Sequence, residues 1–208
     1  MSFWFDEGDR QNYDKCLLSI LEIQKAIKEL NDSDPIMKED PLKVRMGLNS
    51  GDVILCDIGA AKARVDLTMI GDAVNIAARL ETACSHYFID NLVSDSVAKD
   101  ARAQFSIRII DRIKVYGKET PVGVYEIINE VENTSQEEKD LIKHFEKGFE
   151  AYTKGKFSAG LKHFQKSKPL EIDRGYPSTP SDVYISRCKI LEKSSPGDWD
   201  GTWTLESK

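Results

Sequence analysis

The run DLTMIGDAVNIAARLE, residues 66–81, constrains the fold more than any other stretch of the chain. Asp66–Ile70 reads as a short strand that stops at Gly71, and a helix begins at once, from about Asp72 to Cys84. Ala73, Ala77, Leu80 and Cys84 recur at spacings of four, three and four, the buried stripe of an amphipathic helix. A strand that turns into a helix at glycine leaves backbone N–H groups free at the positive end of the helix dipole, a corner suited to phosphate. Asn75 and Arg79 stand one turn apart on one face, roughly opposite that stripe. A neutral donor and a guanidinium so placed can hold a sugar oxygen and a phosphoryl oxygen together. The same spacing also fits a solvated face with Arg79 beside Glu81.

The surrounding residues read as mixed α/β. Cys16, Ile20, Ile23, Ile27 and Leu30 form one face of an early helix, which Asn31–Pro41, with its two Asp-Pro steps, ends as a loop. Lys43–Asn49 and Asp52–Ile58 read as strands joined by a tight hairpin turn at Ser50-Gly51. Phe88–Val93 reads as a strand and Asp95–Ala101 as a short helix. Ile107–Val115 and Val122–Ile128 alternate as strands around Tyr116-Gly117-Lys118.

The composition changes at Glu130–Gln136, where Ser135 and Glu138 fit a capping box that opens a new helix. Leu141, Phe145, Phe149 and Tyr152 stripe that helix, and Gly155-Lys156 breaks it. Phe157, Leu161 and Phe164 stripe a second, and after a connection from Pro169 to Pro180, Tyr184, Cys188 and Leu191 stripe a third. The first two helices resemble one tetratricopeptide repeat. A single repeat cannot bury its own faces, so this tail is expected to dock on the α/β part or on a partner.

Composition narrows the function. Hydrophobic residues make up 40% and charged residues 31% of 208, enough for a packed core. Before Val131 there are 16 basic and 22 acidic residues, and after it 13 of each. That acidity argues against a surface for a nucleic acid polymer. No apolar run reaches the roughly 18–20 residues of a membrane span, and Met1–Asp6 lacks the features of a signal peptide. Cys16, Cys56, Cys84 and Cys188 show no CxxC spacing and read as reduced core thiols of a cytoplasmic chain. His86, His144 and His163 are too scattered to read as ligands.

Residues 66–81 closely resemble the DxTxxGDxVNxAxRLE signature of class III nucleotide cyclases, the adenylate and guanylate cyclases. KVRMGLNSGDVILCDIG (43–59) resembles the segment that precedes it in that family. Ser94 matches a strand end, residues 115–118 stand at the family's LKGK, and Pro121–Ile127 resembles its closing PVxVYEI strand. The match covers about residues 1–130. It implies a partial ferredoxin-like α+β catalytic domain there, with 131–208 as an all-α extension similar to those of some bacterial members.

By that resemblance Asn75 orients the nucleotide ribose, and Arg79 stabilises charge growing on the α-phosphate. Thr68 reads the purine, and a threonine there favours ATP over GTP. The family reaction turns ATP into 3′,5′-cyclic AMP and pyrophosphate, in head-to-tail dimers whose active sites lie between subunits. One subunit gives two metal-binding aspartates for Mg or Mn, and the other gives the Thr, Asn and Arg. Those aspartates lie before Phe3-Trp4-Phe5-Asp6 in the family pattern, and Asp6 and Asp9 fall after the strand that should carry them. Tyr116 replaces the triphosphate-binding lysine, with Lys114 and Lys118 nearby. The chain is thus expected to be the C-terminal part of an adenylate cyclase domain, inactive and metal-free by itself and prone to self-association. The alternative is a degenerate homologue acting as a non-catalytic regulatory or binding subunit.

Overall fold

The structure, a computed structural model, describes residues 10–59, 65–113, 121–194 and 197–203. Helix α1 (Arg10–Ser33) is followed by a short α2 (Pro35–Glu39), and then by strands β1 (Met46–Leu48), β2 (Ile54–Gly59) and β3 (Val65–Ile70). Helix α3 (Asp72–Tyr87), β4 (Asn91–Ser94), α4 (Asp95–Ala101), β5 (Phe105–Ile113) and β6 (Val122–Glu130) complete the α/β part. Helices α5 (Gln136–Thr153), α6 (Phe157–Ser167) and α7 (Pro180–Ser194) form the tail.

Four strands make one sheet in the order β1-β4-β6-β5, with β1 and β4 parallel and the other pairs antiparallel. β2 and β3 form a separate antiparallel ribbon, with Cys56 opposite Thr68. The hairpin expected at Ser50-Gly51 therefore does not form. The turn instead seats a helix: a Cβ on Gly51 would stand 3.0 Å from the Ala73 Cβ. β1 finds its partner in β4, and α3 crosses over both. At Gly47 the crossing is so close that a Cβ would lie 2.0 Å from the Ala77 carbonyl oxygen, so a side chain there would collide with the backbone of α3.

Other expectations shift at their ends. The loop expected at Asn31–Pro41 holds α2, because Asp34 accepts from the Ile36 and Met37 amides at 2.8 and 3.2 Å and Pro35 opens the turn. Helix α3 runs on to Tyr87, and Phe88 is its left-handed cap rather than the start of a strand. On α1, Cys16, Leu17 and Ile20 are buried, but Leu30 is 40% exposed. Cys56 is only half-buried, unlike Cys16, Cys84 and Cys188, and all four thiols are free.

The sheet is buried on both faces. On one, Leu17 and Ile20 of α1 and Val97, Ala98 and Ala101 of α4 pack on Val93, Phe105, Ile107 and Ile127. On the other, Leu80, Cys84 and Tyr87 of α3 and Ile110 and Val124 of the sheet share one cluster with the tail's Phe145, Phe149, Tyr152, Phe164, Tyr184, Cys188 and Leu191. Each fully buried Leu, Ile, Val or Phe among them contributes about 1.5–3 kcal/mol. The tail thus docks on the α/β part. Its first helix is capped as the sequence suggests: the Ser135 amide donates to Glu138 at 2.7 Å, and the Glu138 amide to Ser135 Oγ at 3.2 Å.

Charge is buried along with the apolar surface. Arg108 on β5, fully buried, donates to Glu126 at 2.7 Å and, through both terminal nitrogens, to Glu171 of the tail at 3.0 and 2.8 Å. Burial alone would lower its pKa, but the two carboxylates hold it above the usual value. Arg174 pairs with Glu126 and, at 3.3 Å, with Asp90. The connection between α6 and α7 is thereby stapled to the sheet. Sequence reading missed this network; the available signal was the charged residues Arg108, Asp111 and Arg112 among the isoleucines of β5.

Candidate functional site

The corner between β3 and α3 is built as its sequence suggests. β3 ends at Ile70, Gly71 is extended, and the Val74 amide donates to the Gly71 carbonyl at 3.2 Å, so the helix opens from that residue. Among the described residues, no side chain caps it. The first turn is held from the other side, where Asn49 Nδ2 donates to the Ala73 carbonyl at 3.1 Å. A Cβ on Gly71 would stand 2.9 Å from the Asp52 carbonyl oxygen, which is why the segment entering β2 can lie directly against this corner.

Asn75 and Arg79 are both exposed, while Leu80, Ala83, Cys84 and Tyr87 form the buried stripe of α3 and Ala73 and Ala77 are half-buried. Thr68 is half-buried on the neighbouring strand β3. Glu81 is not a counterion for Arg79. Its Oε1 accepts from Arg45 Nε of the segment entering β1 at 2.8 Å. Among the described residues, Arg79 has no ion pair and the Asn75 side chain no hydrogen bond, so both keep donors for an external oxygen. The side chain of Asp66 and residues Asp6, Asp9, Lys114, Tyr116 and Lys118 lie outside what the structure describes.

A cavity of about 760 Å³ opens beside the first turn of α3, at the C-terminal ends of β1 and β4. Asn49, Asp72, Ser94, Lys99, Arg112 and Tyr125 are on its wall; Thr68, Asn75 and Arg79 are not. Asn75 and Arg79 thus share a helix with the cavity but not a surface, and Thr68 lies on the strand before it. Tyr125 donates to Asp95 at 3.1 Å, and burial, then Asp95, pushes its hydroxyl above the usual phenol range. Among the described residues, no group of three or more His, Cys, Asp or Glu side chains could hold a metal ion. The described residues therefore do not fit the Mg or Mn that the resemblance implies. Thr68, Asn75 and Arg79 bring a hydroxyl, an amide and a guanidinium: donors and acceptors for external oxygens, and one positive charge that can balance a negative one.

Comparison with known proteins agrees with the signature. An adenylate cyclase of Anabaena cylindrica is 32% identical over 130 residues, covering 59% of this chain and 25% of that protein. The terminal-differentiation specific adenylate cyclase of Dictyostelium discoideum is 26% identical over 186 residues, 85% of this chain and 8% of that protein. That alignment reaches past the α/β part into the helical tail. The chain thus spans a quarter or less of these two relatives. Among solved structures, the adenylyl cyclase CyaB from P. aeruginosa superposes with a TM-score of 0.51 at 25% identity, over 62% of this chain and 65% of that one. No helix among the described residues is long and apolar enough to cross a membrane. The sequence model of the adenylate and guanylate cyclase catalytic domain matches residues 5–129, and the chain belongs to that family.

Proposed function

We propose that residues 1–130 form the nucleotide-orienting part of an adenylate cyclase, which turns ATP into 3′,5′-cyclic AMP and pyrophosphate. In that reaction the ribose 3′-oxygen attacks the α-phosphorus as the bond to the β-phosphate oxygen breaks, and the hydroxyl proton leaves to solvent. Asn75 holds the ribose, so that the 3′-oxygen faces the phosphorus. Arg79 places its guanidinium against the α-phosphoryl oxygens as their charge grows, an interaction stronger in the transition state than in the ground state. Thr68 accepts a hydrogen bond from the adenine amino group, which a guanine carbonyl would not donate. The observation that carries this reading is the exposure of Asn75 and Arg79 one turn apart, with Glu81 engaged by Arg45 instead of Arg79.

The site is open, and what surrounds it supports a second subunit. Ile54 is 70%, Ile70 52% and Val74 37% exposed, close to Thr68 and Asn75 along the β2–β3 ribbon and the start of α3. An apolar rim of this kind marks a surface that another chain covers. We read it as one side of a homodimer interface. The metal-binding carboxylates, with Mg or Mn, come to the nucleotide from residues other than those described. The chain assayed without them makes no cyclic AMP. We read α5 and α6 as resembling one tetratricopeptide repeat whose open face is occupied by the sheet. The four free thiols support a cytoplasmic setting. A non-catalytic regulatory subunit is the alternative, favoured by Tyr116 where the family has lysine.

The deciding experiment joins the chain to a segment bearing the two aspartates and measures cyclic AMP formation. Arg79→Ala is expected to lower kcat by on the order of 100-fold or more with little change in KM. Nucleotide binding without turnover would favour the regulatory reading, and near-normal turnover of Arg79→Ala would overturn the catalytic assignment.

A further inference from the structure

Tyr87 is the last residue of α3, the helix that carries Asn75 and Arg79. It is fully buried, and its hydroxyl donates to Asp111 Oδ2 of β5 at 2.6 Å. The same oxygen accepts from Arg187 Nη1 of α7 at 2.8 Å, and Asp111 Oδ1 accepts from the Arg112 amide at 2.7 Å. The Arg187 guanidinium lies over three rings, at 5.5 Å from Tyr87, 5.0 Å from Tyr184 and 5.2 Å from Trp203. Tyr184 in turn donates to the Ile110 carbonyl at 2.7 Å. Four parts of the chain therefore meet at one cation: the end of α3, the end of β5, α7, and the segment that carries Trp203.

We infer that Arg187 is a positioning residue, through which the helical tail fixes the direction of α3 and so the place of Arg79. The inference rests on the catalytic reading above for what Arg79 does, but not for the anchoring itself. A helix is a rod, and its direction is set by what holds its two ends. The first turn of α3 is held by Asn49 and the segment entering β2. Near the middle, the backbone of α3 at Ala77 and Glu81 is seated on Gly47 of β1, a contact without direction, and the only ion pair there among the described residues is Arg45–Glu81, with both side chains more than one-third exposed, a weak restraint. The far end is held by Leu80, which packs without direction, by the long contact of the Cys84 thiol with the Met46 carbonyl at 3.7 Å, and by the shorter, charged Tyr87–Asp111–Arg187 bonds. Tyr87 lies eight residues beyond Arg79, roughly 12 Å along the axis at 1.5 Å per residue. Releasing that end lets the rod roll and tilt on its Gly47 seat and carries the Arg79 guanidinium, which stands off the helix axis, with it. A displacement of about 1 Å at a catalytic group can cost on the order of 100-fold in rate.

A positioning role differs in a measurable way from a purely structural one. A buried ion pair replaced by apolar residues of similar volume often leaves stability unchanged or raised, while the directional bond is lost. Two variants of the full chain make the test: Tyr87→Phe, which removes only the hydroxyl, and the double variant Asp111→Leu with Arg187→Met. Hydrogen exchange of individual amides is read in both. The amides of Ala83, Cys84 and Tyr87 are expected to exchange at least tenfold faster, while those of Ile107 and Ile127 in the sheet keep their rates. Unchanged exchange at the end of α3 in both variants, or equal acceleration throughout the sheet, overturns the anchor. In the chain joined to the aspartate-bearing segment, Tyr87→Phe is expected to lower kcat about tenfold with KM within twofold, and to add nothing once Arg79 is alanine. A loss that adds fully to that of Arg79→Ala overturns the link to Arg79. If Arg79→Ala leaves turnover intact, the catalytic reading fails on its own, and the exchange rates still decide the anchor.

Discussion

Replacing Arg108 by methionine tests whether the tail is held by charge as well as by apolar contact. The arginine is fully buried, with Glu126 at 2.7 Å and both oxygens of Glu171 at 3.0 and 2.8 Å, and it lies 4.7 Å from the Phe145 ring centroid. Methionine fills much of the stem's volume, so the loss is of charge and not of space. Glu126 keeps Arg174 as a partner. Glu171 keeps only hydrogen bonds, from the Ser181 amide at 3.1 Å and hydroxyl at 2.6 Å, and its side chain is 2% exposed. Removing one partner of a buried ion pair typically costs about 3–5 kcal/mol. Ser181 puts Arg108→Met toward the lower end, near 3 kcal/mol. In a chain of this length each kcal/mol lowers Tm by roughly 2–4 °C, so a fall of about 6–12 °C is expected.

The assay is thermal and urea unfolding of both proteins at pH 8 and at pH 5. A buried carboxylate without its cation takes up a proton rather than remain charged. The folded variant then binds a proton that the unfolded chain does not, and its stability rises relative to the parent as pH falls. The deficit should therefore be smaller at pH 5 than at pH 8. Adding Glu171→Gln to Arg108→Met should recover about half the loss at pH 8, because the amide still accepts from Ser181. A deficit under about 1 kcal/mol at pH 8, or one that grows as pH falls, would refute the reasoning.

Gly47→Ala should abolish folding of the α/β part, since its Cβ would stand 2.0 Å from the Ala77 oxygen and 2.5 Å from the Glu81 nitrogen, both backbone atoms; loss of cooperative unfolding checks this. His144 and His163 face each other with ring centroids 5.8 Å apart, and the Nδ1 of each is buried with no hydrogen-bond partner among the described residues. Burial, then His144, Lys166 and Lys147, hold His163 below the usual imidazole range. The unfolded chain then binds the proton more readily, so stability should fall as pH drops from about 7 to 5. His163→Gln should flatten that slope in pH-dependent melting.

What could be read from the chain alone follows the range of the forces involved. The strand–Gly71–helix corner and the Ser135–Glu138 cap are decided by residues a few positions apart, and both form. Ser50-Gly51 carries the local signal of a hairpin, but its glycine serves the contact with Ala73 in a helix 22 residues later, and β1 pairs with β4 beyond that helix. Asp34-Pro35 is ambiguous in principle, because the same pair ends one helix and caps the next. Thr68, Asn75 and Arg79 can be singled out as candidates because they share one short segment. Tyr87, Asp111 and Arg187 are not, because each alone resembles an ordinary surface residue and only the fold brings them to one oxygen.

The charges at the join explain why the tail and the sheet form one unit. The α/β part brings Arg108, Asp90, Asp111 and Glu126 to the interface, and the tail brings Glu171, Arg174 and Arg187. Without the tail, the sheet face would carry three carboxylates against one arginine, in a chain segment already rich in acid. With it, three arginines face four carboxylates, and each of these groups has a partner of opposite sign. Apolar docking alone would tolerate sliding of the tail over Tyr87, Ile110 and Val124, because such contacts have no preferred direction. The bidentate Arg108–Glu171 contact and the Arg187–Asp111 bond admit one register only. The ends of that register are Asp90, just before β4, and Tyr87, at the end of α3. The tail therefore grips the α/β part at the two places from which the β1–α3–β4 crossover, and the signature residues on it, take their direction.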